Sequence, residues 1–228
     1  MQGFRAPGIF FLTTLTTSEQ EFLKTLVGNA LKNGYTKFIE PCAGAFALSH
    51  LAIQAGFKTS QIENSDVSMF TSIMGYAITG QPLEELCLKA KGFRDEELLD
   101  PATALYAWKY LSMAKNAEKD YFYNYLVDME KRRDEHIKFL SEQLNRAKDI
   151  LGGMNYRTLD MWKHLEEVID NPNALILANP PTYRSGFEKY YDTNGNMTWK
   201  EPEYEIFDPK TGLEELMDKM KSAKSECF

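Results

Sequence analysis

Residues Ala174-Leu175-Ile176-Leu177-Ala178 are apolar at every position and run directly into Asn179-Pro180-Pro181. The run is too short for an independent helix, and the two prolines remove two backbone donors and end any regular ladder. A strand with one wet face alternates polar and apolar side chains. A strand with no polar position is covered on both faces, as a central strand of a parallel sheet is when helices pack above and below it. The rest of the chain must then supply the partner strands and the crossover helices.

It does so in alternation. Residues 18–32 carry an apolar stripe (Phe22, Leu23, Leu26, Ala30, Leu31), with Ser18 expected to cap the helix and Glu21 to close a capping box. Lys37–Glu40 is expected as a short buried strand, Ala45–Ala55 as a helix closed by Gly56, Ser60–Asn64 as a strand, and Val67–Thr79 as a helix stopped by Gly80 and Pro82. Between Ala102 and Leu151 there is no Gly or Pro, and Ile137, Leu140, Leu144 and Ala147 follow helical spacing, which predicts two long helices as an inserted hairpin. Met154–Thr158 is expected as a strand, Met161–Ile169 as a helix, 182–210 as a loop with a tight turn at Asn194-Gly195, and Thr211–Lys224 as a last helix. Strands alternating with helices predict a parallel α/β sheet.

Composition narrows the function. The chain has 228 residues, 43% of them hydrophobic, which is too apolar for disorder and enough for a proper core. A net charge of −7 argues against coating nucleic acid by bulk charge, but leaves room for a local basic groove. No segment approaches the roughly 18 apolar residues of a membrane span. The apolar run Ile9–Leu12 is too short for a secretion signal. Cys42, Cys87 and Cys227 form no Cys-x-x-Cys pair and fit reduced thiols, so a cytoplasmic location is expected. His50, His136 and His164 lie at no ligand spacing, so no metal is expected.

Four strand ends carry the polar residues. Ligands of open α/β sheets bind beyond the carboxyl ends of the strands. Glu40-Pro41-Cys42-Ala43-Gly44 follows the first strand and opens a helix, an arrangement that lets a ligand approach the backbone closely or serves as an ordinary turn. Asp66, with Glu63 as the fallback, lies about 20 residues beyond Gly44, where nucleoside binders accept ribose hydroxyls, though Asp66 is equally placed to cap the next helix. Asp160 follows the third strand and precedes Met161, so capping competes there with ligand binding. After the apolar run, Asn179-Pro180-Pro181-Thr182-Tyr183 forms a rigid turn that either aims Asn179 and nearby carbonyls at one point or closes the strand end. Such acceptors suit an exocyclic amino group: they take its hydrogens and leave its lone pair free. Arg184, Lys189 and Lys200 are interleaved with Tyr183, Phe187, Tyr190 and Trp199, a pattern that suits a stacked base and a phosphate backbone, or a loop packed on the sheet edge. Lys131-Arg132-Arg133 is followed by Asp134-Glu135 and is better explained as a solvated helix face.

Taken in this order, the motifs resemble those of the adenine-specific DNA methyltransferases of the Dam-like, D12 group. Glu40-Pro41-Cys42-Ala43-Gly44 is similar to that family's Glu-Pro-Phe-x-Gly cofactor loop, and Asn179-Pro180-Pro181 to its (Asp/Asn)-Pro-Pro-aromatic catalytic motif. Asp66 and Asp160 match the acids at the ribose and adenine of S-adenosylmethionine, and Arg5-Ala6-Pro7-Gly8 resembles the segment at the methionine end of that cofactor. The Asn-Pro-Pro-Thr-Tyr variant is also similar to enzymes of phages and mobile elements. Two positions depart from the pattern. Thr182 stands where the aromatic is expected, with Tyr183 one residue late, and Phe46 replaces the second glycine of the cofactor loop, which is expected to narrow the pocket.

The resemblance implies a Rossmann-like S-adenosylmethionine-dependent methyltransferase fold with a helical insertion. Residues 1–100 form its first part, 101–151 an insertion suited to target recognition, and 152–228 its second part. It implies N6 methylation of adenine in double-stranded DNA, as in restriction–modification and self-protection, with no membrane partner. Asn179, Pro180, Pro181 and Tyr183 would be catalytic. Gly8, Glu40, Pro41, Cys42, Ala43, Gly44, Asp66 and Asp160 would hold the cofactor, and Thr182, Arg184, Lys189, Trp199 and Lys200 the substrate. Only four strands are expected before Thr211, with a fifth beginning at Ser225–Phe228, so the C-terminal strands are expected to be missing or completed by a second subunit or a further segment. RNA or protein-glutamine methylation, and a non-catalytic DNA- or partner-binding subunit, stand as alternatives.

Overall fold

The computed structural model describes residues 16–114, 118–180 and 193–228. The apolar run forms β5 (Ala174–Ile176), with neighbours on both sides. On one side lies β1 (Lys37–Glu40), followed outward by β2 (Ile62–Asp66) and β4 (Asn155–Thr158); on the other lies β7 (Glu226–Cys227). The order β4-β2-β1-β5-β7 is parallel throughout, with Ile39 opposite both Glu63 and Ile176. The connections therefore lead away from β1 in one direction and from β5 in the other. The crevice between these two strands is where such a sheet opens for a ligand. This is a Rossmann-like parallel sheet, as expected, and its fifth strand begins where the sequence predicts.

Period-two alternation explains why β1 and β5 have no polar face inside the core. Phe38 and Leu175 point into a large core, while Ile39, Ala174 and Ile176 point into a smaller one. Helices α1 (Thr17–Lys32), α2 (Ala47–Ala55) and α3 (Met69–Thr79) contribute to the large core. The opposite face is covered by α7 (Met161–Val168) and α8 (Gly212–Lys221) through Leu165, Val168 and Leu216.

The expected two-helix hairpin is corrected. Residues 101–151 hold α4 (Pro101–Ala114), α5 (Asp120–Lys131) and α6 (Arg133–Leu151). The break between α5 and α6 falls at Arg132, whose φ of −116° and ψ of 30° leave the helical region. Leu105 and Trp108 of α4 and Leu140 and Ala147 of α6 share the large core with Phe38 of the sheet. The expected Ser18 cap is also corrected. Thr16 accepts from the Glu19 amide at 3.3 Å, and Glu19 Oε2 accepts from the Thr16 amide at 2.6 Å, so the capping box sits two residues earlier. The second strand starts two residues later than expected, at Ile62. Within the expected loop, β6 (Met197–Thr198) pairs antiparallel with β3 (Lys89–Ala90). The Asn194-Gly195 turn forms as expected, with φ of 52° and 70°.

Candidate active site

The carboxyl ends of β4, β2, β1 and β5 bring the four motifs to one edge of the sheet. Glu40 ends β1 and is 2% exposed. Its Oε2 accepts from the Ser49 amide at 3.0 Å and contacts Ser49 Oγ, so the acid is tied to the first turn of α2. Burial pushes its carboxyl up to about 8, against the opposing pull of the Ser49 hydrogen bonds. Ser49 Oγ in turn lies 2.6 Å from Asn64 Oδ1 on β2, and Asn64 Nδ2 donates toward Met154 Sδ at 3.1 Å and the Asn155 carbonyl at 3.4 Å.

Asp66 ends β2 and is spent on the loop across from it. Its Oδ2 accepts from the Gly44 amide at 2.8 Å and its Oδ1 from the Ser68 amide at 2.8 Å. Burial raises its carboxyl above the usual range, and the amide bonds work against that. The anticipated capping of α3 falls instead to Ser68, whose Oγ accepts from Thr71 at 3.2 Å. Thr71 Oγ1 donates to the Gly44 carbonyl at 2.8 Å, and the Ala43 amide donates to the Ser65 carbonyl at 3.0 Å. Both polar groups of Gly44 are therefore fixed, with the residue itself at a φ of 50°. Pro41 and Ala43 are buried, and Cys42 is half-buried. The Cys42 thiol is held well above its ordinary value by burial, and then by the carboxyls of Asp66, Glu40 and Asp160. The thiol therefore stays protonated, and its Sγ lies 3.3 Å from Met161 Sδ.

Phe46 keeps the backbone of the glycine it replaces. Its φ is 62°, a left-handed conformation uncommon for a bulky residue, yet its ring is fully buried and meets Tyr156 edge-on at 5.6 Å. The ring thus turns into the core.

Asp160 caps α7: Oδ1 accepts from Trp162 at 2.8 Å and Lys163 at 3.3 Å, and Oδ2 from the Glu205 amide at 3.3 Å. Phe207 stacks on Trp162 beside it, with centroids 6.2 Å apart. At the end of β5, Pro180 is buried and Asn179 is exposed. Trp199 packs partly buried against the large core, and the amide of exposed Lys200 donates to the Leu86 carbonyl at 2.8 Å. Gly8, Pro181, Thr182, Tyr183, Arg184 and Lys189 lie outside the described residues. Arg132 is paired with Glu135 at 2.8 Å and Asp128 at 3.6 Å, and Arg133 with Glu97 at 3.0 Å, as a solvated helix face requires.

Sequence reasoning missed a buried layer behind the loop. Ser65 Oγ meets His164 Nδ1 at 2.7 Å and the Pro41 carbonyl at 3.3 Å, and both Ser65 and His164 are fully buried. Burial and then Arg157 push His164 down to about 4, so the ring is neutral at physiological pH. Its signal was present in the sequence: His164 stands on the apolar stripe Met161, Leu165, Val168 of α7, where a polar side chain needs a partner. Among the described residues no His/Cys/Asp/Glu cluster could hold a metal, and no helix is long and apolar enough to cross a membrane.

No curated protein and no solved structure matches the chain. A family profile does, over residues 11–227, so the whole five-stranded sheet and every described motif fall inside the match. The chain belongs to the family described as phage DNA adenine methylase-like domain 1.

Proposed function

We propose that the chain transfers a methyl group from S-adenosylmethionine to N6 of adenine in double-stranded DNA. The observation that carries this is the exposed Asn179, held by buried Pro180 at the end of the central strand, next to the strand whose Glu40–Gly44 loop is tied to Asp66. The acceptors of that loop suit a ligand with a cationic centre, two hydroxyls and an amino group. Residues Glu40–Gly44, Asp66 and Asp160 would hold it, with Gly8 at its methionine end. When bound, S-adenosylmethionine supplies an electrophilic methyl group on a sulfonium.

The protein's own part is positional. The amide oxygen of Asn179 and the carbonyl of Pro180 accept the two hydrogens of the adenine amino group. Its nitrogen lone pair then faces the methyl without a base having to remove a proton first, and the methylated nitrogen afterwards sheds its surplus proton to solvent. Rigid placement and aligned acceptors carry the rate. In this reading the roles of Pro181, Thr182 and Tyr183 come from the sequence: a second proline would stiffen the turn, and Thr182 and Tyr183 would flank the flipped base. Arg184, Lys189 and Lys200 would supply the charge that meets the phosphate backbone, and Trp199, packed partly buried against the large core, would back that loop. The inward turn of Phe46 supports a working loop, because the substitution that set this chain apart places no ring in the crevice.

The test uses purified protein, labelled S-adenosylmethionine and unmethylated DNA. The native chain is expected to label adenine. Asn179→Ala is expected to lose on the order of 100-fold or more in rate while melting at an unchanged temperature, because its side chain is exposed. Labelling of RNA or of protein glutamine, with none of DNA, would replace the substrate. Full activity of Asn179→Ala would remove the mechanism.

A further inference from the structure

Glu40, Ser49 and Asn64 pose a problem of counting protons. Ser49 Oγ has one hydrogen, yet it lies against Glu40 Oε2 and is 2.6 Å from Asn64 Oδ1. Both neighbours are acceptors when Glu40 is ionised, so one contact would be oxygen against oxygen. Rotating the Asn64 amide does not help. It would turn Oδ1 toward the Asn155 carbonyl and Met154 Sδ, neither of which donates, where Nδ2 now donates at 3.4 Å and 3.1 Å. All three residues are buried, so a mispaired contact would carry its full desolvation cost. One extra hydrogen on Glu40 resolves every contact: Glu40 O–H donates to Ser49 Oγ, and Ser49 O–H donates to Asn64 Oδ1.

We propose that the free protein carries Glu40 as a neutral acid, and that the arrival of a cationic ligand at the loop expels this proton, so the site senses the ligand's charge. The second half rests on the cofactor assignment above. The groups facing Glu40 are Asp66 at the end of β2, the Cys42 thiol in the loop, Asn64 from β2, and Ser49 with the Leu48 amide from α2. None of them carries positive charge, so among the described residues none that faces Glu40 offsets its ionised form. A sulfonium in the crevice would do so. The proton leaves to solvent, and Ser49 O–H swings from Asn64 Oδ1 to Glu40 Oε2. After methyl transfer the sulfur is uncharged, Glu40 takes a proton back, and the product is held less firmly than the substrate. The burial that pushes Glu40 up to about 8 sets the upper end of the range. Affinity for the sulfonium ligand would rise by up to about tenfold per pH unit below that value, and level off above it.

Infrared spectra of the free protein test the first half without any ligand. A protonated-carboxyl band is expected at pH 6.5 that fades as pH rises through about 8 and is missing from Glu40→Gln. Ser49→Ala keeps the acid and is expected to move the band to higher frequency, since the proton loses its acceptor. Identical spectra for native protein and Glu40→Gln would overturn the neutral acid. Calorimetry at pH 7 in phosphate and in Tris tests the second half. S-adenosylmethionine is expected to release more protons than S-adenosylhomocysteine, and Glu40→Gln to abolish the difference. Equal release with both ligands would overturn charge sensing. The band without binding of either ligand would overturn the cofactor assignment and the linkage together, while leaving the neutral acid established.

Discussion

The two sides of the sheet's carboxyl edge are built on opposite principles. On the β1–β2 side, Glu40, Asp66, Ser65 and Gly44 are all hydrogen-bonded within the protein, and the acids and the serine are buried. On the β5 side, Asn179 stands exposed on a buried proline. One half is a preformed cradle whose polar groups already have partners, and the other presents an exposed side chain. The difference teaches which residues should change stability when altered and which should change chemistry alone. Asn179→Ala belongs to the second kind.

The largest effect on stability should come from Phe46. Phe46→Ala removes a fully buried ring that meets Tyr156, and is expected to cost about 3–5 kcal/mol in urea unfolding. Phe46→Gly should be milder than that loss of packing suggests, because glycine recovers roughly 1 kcal/mol at a left-handed position. If Phe46→Ala unfolded like the native chain, the claim that the cradle is anchored in the core would fail.

A smaller effect should follow pH. Folding raises Glu40 from 4.5 to about 8, so the native state binds the extra proton and stability falls as pH rises across that window. Folding lowers His164 from 6.5 to about 4, so the unfolded state binds the extra proton and stability rises across 4 to 6.5. The two slopes oppose one another where they overlap, and only the Glu40 slope remains above 6.5. Thermal melts should therefore show little change between pH 4.5 and 6.5 and a decline toward pH 8, at up to about 1.4 kcal/mol per pH unit. In Glu40→Gln the decline should vanish and a rise at low pH should emerge. A native profile rising from pH 6.5 to 8 would contradict the neutral acid. The smallest effect should come from the exposed helices. Arg132→Ala breaks surface pairs with Glu135 and Asp128 and is expected to shift stability by less than about 0.5 kcal/mol, with no change in the salt dependence of DNA binding.

Where the sequence was legible, the cause was periodicity or chemistry confined to a few neighbouring residues. The apolar run at 174–178 named a central strand, and Gly56 and Gly80 named helix ends because their φ values of 112° and 75° suit glycine. What was not legible depended on partners distant in the chain. The two-residue strands β3 and β6 exist only because Lys89 and Thr198 meet. Thr16 rather than Ser18 became the cap because both offer the same Thr/Ser-x-x-Glu spacing, and local sequence does not choose between them. The four motifs were visible by order along the chain, but their inward hydrogen bonds were not. Ser49 and Asn64 are ordinary residues until the fold stacks α2 on β2. Phe46 shows that a glycine backbone can persist without a glycine, when a buried ring holds it there.

The meeting of β7 with β5 has a practical side. The Phe228 amide donates to the Ile176 carbonyl at 2.9 Å, and the Ala178 amide donates to the Phe228 carbonyl at 3.0 Å, one residue before Asn179. An affinity tag appended after Phe228 would emerge beside the proposed catalytic turn, where it would compete with any incoming polynucleotide.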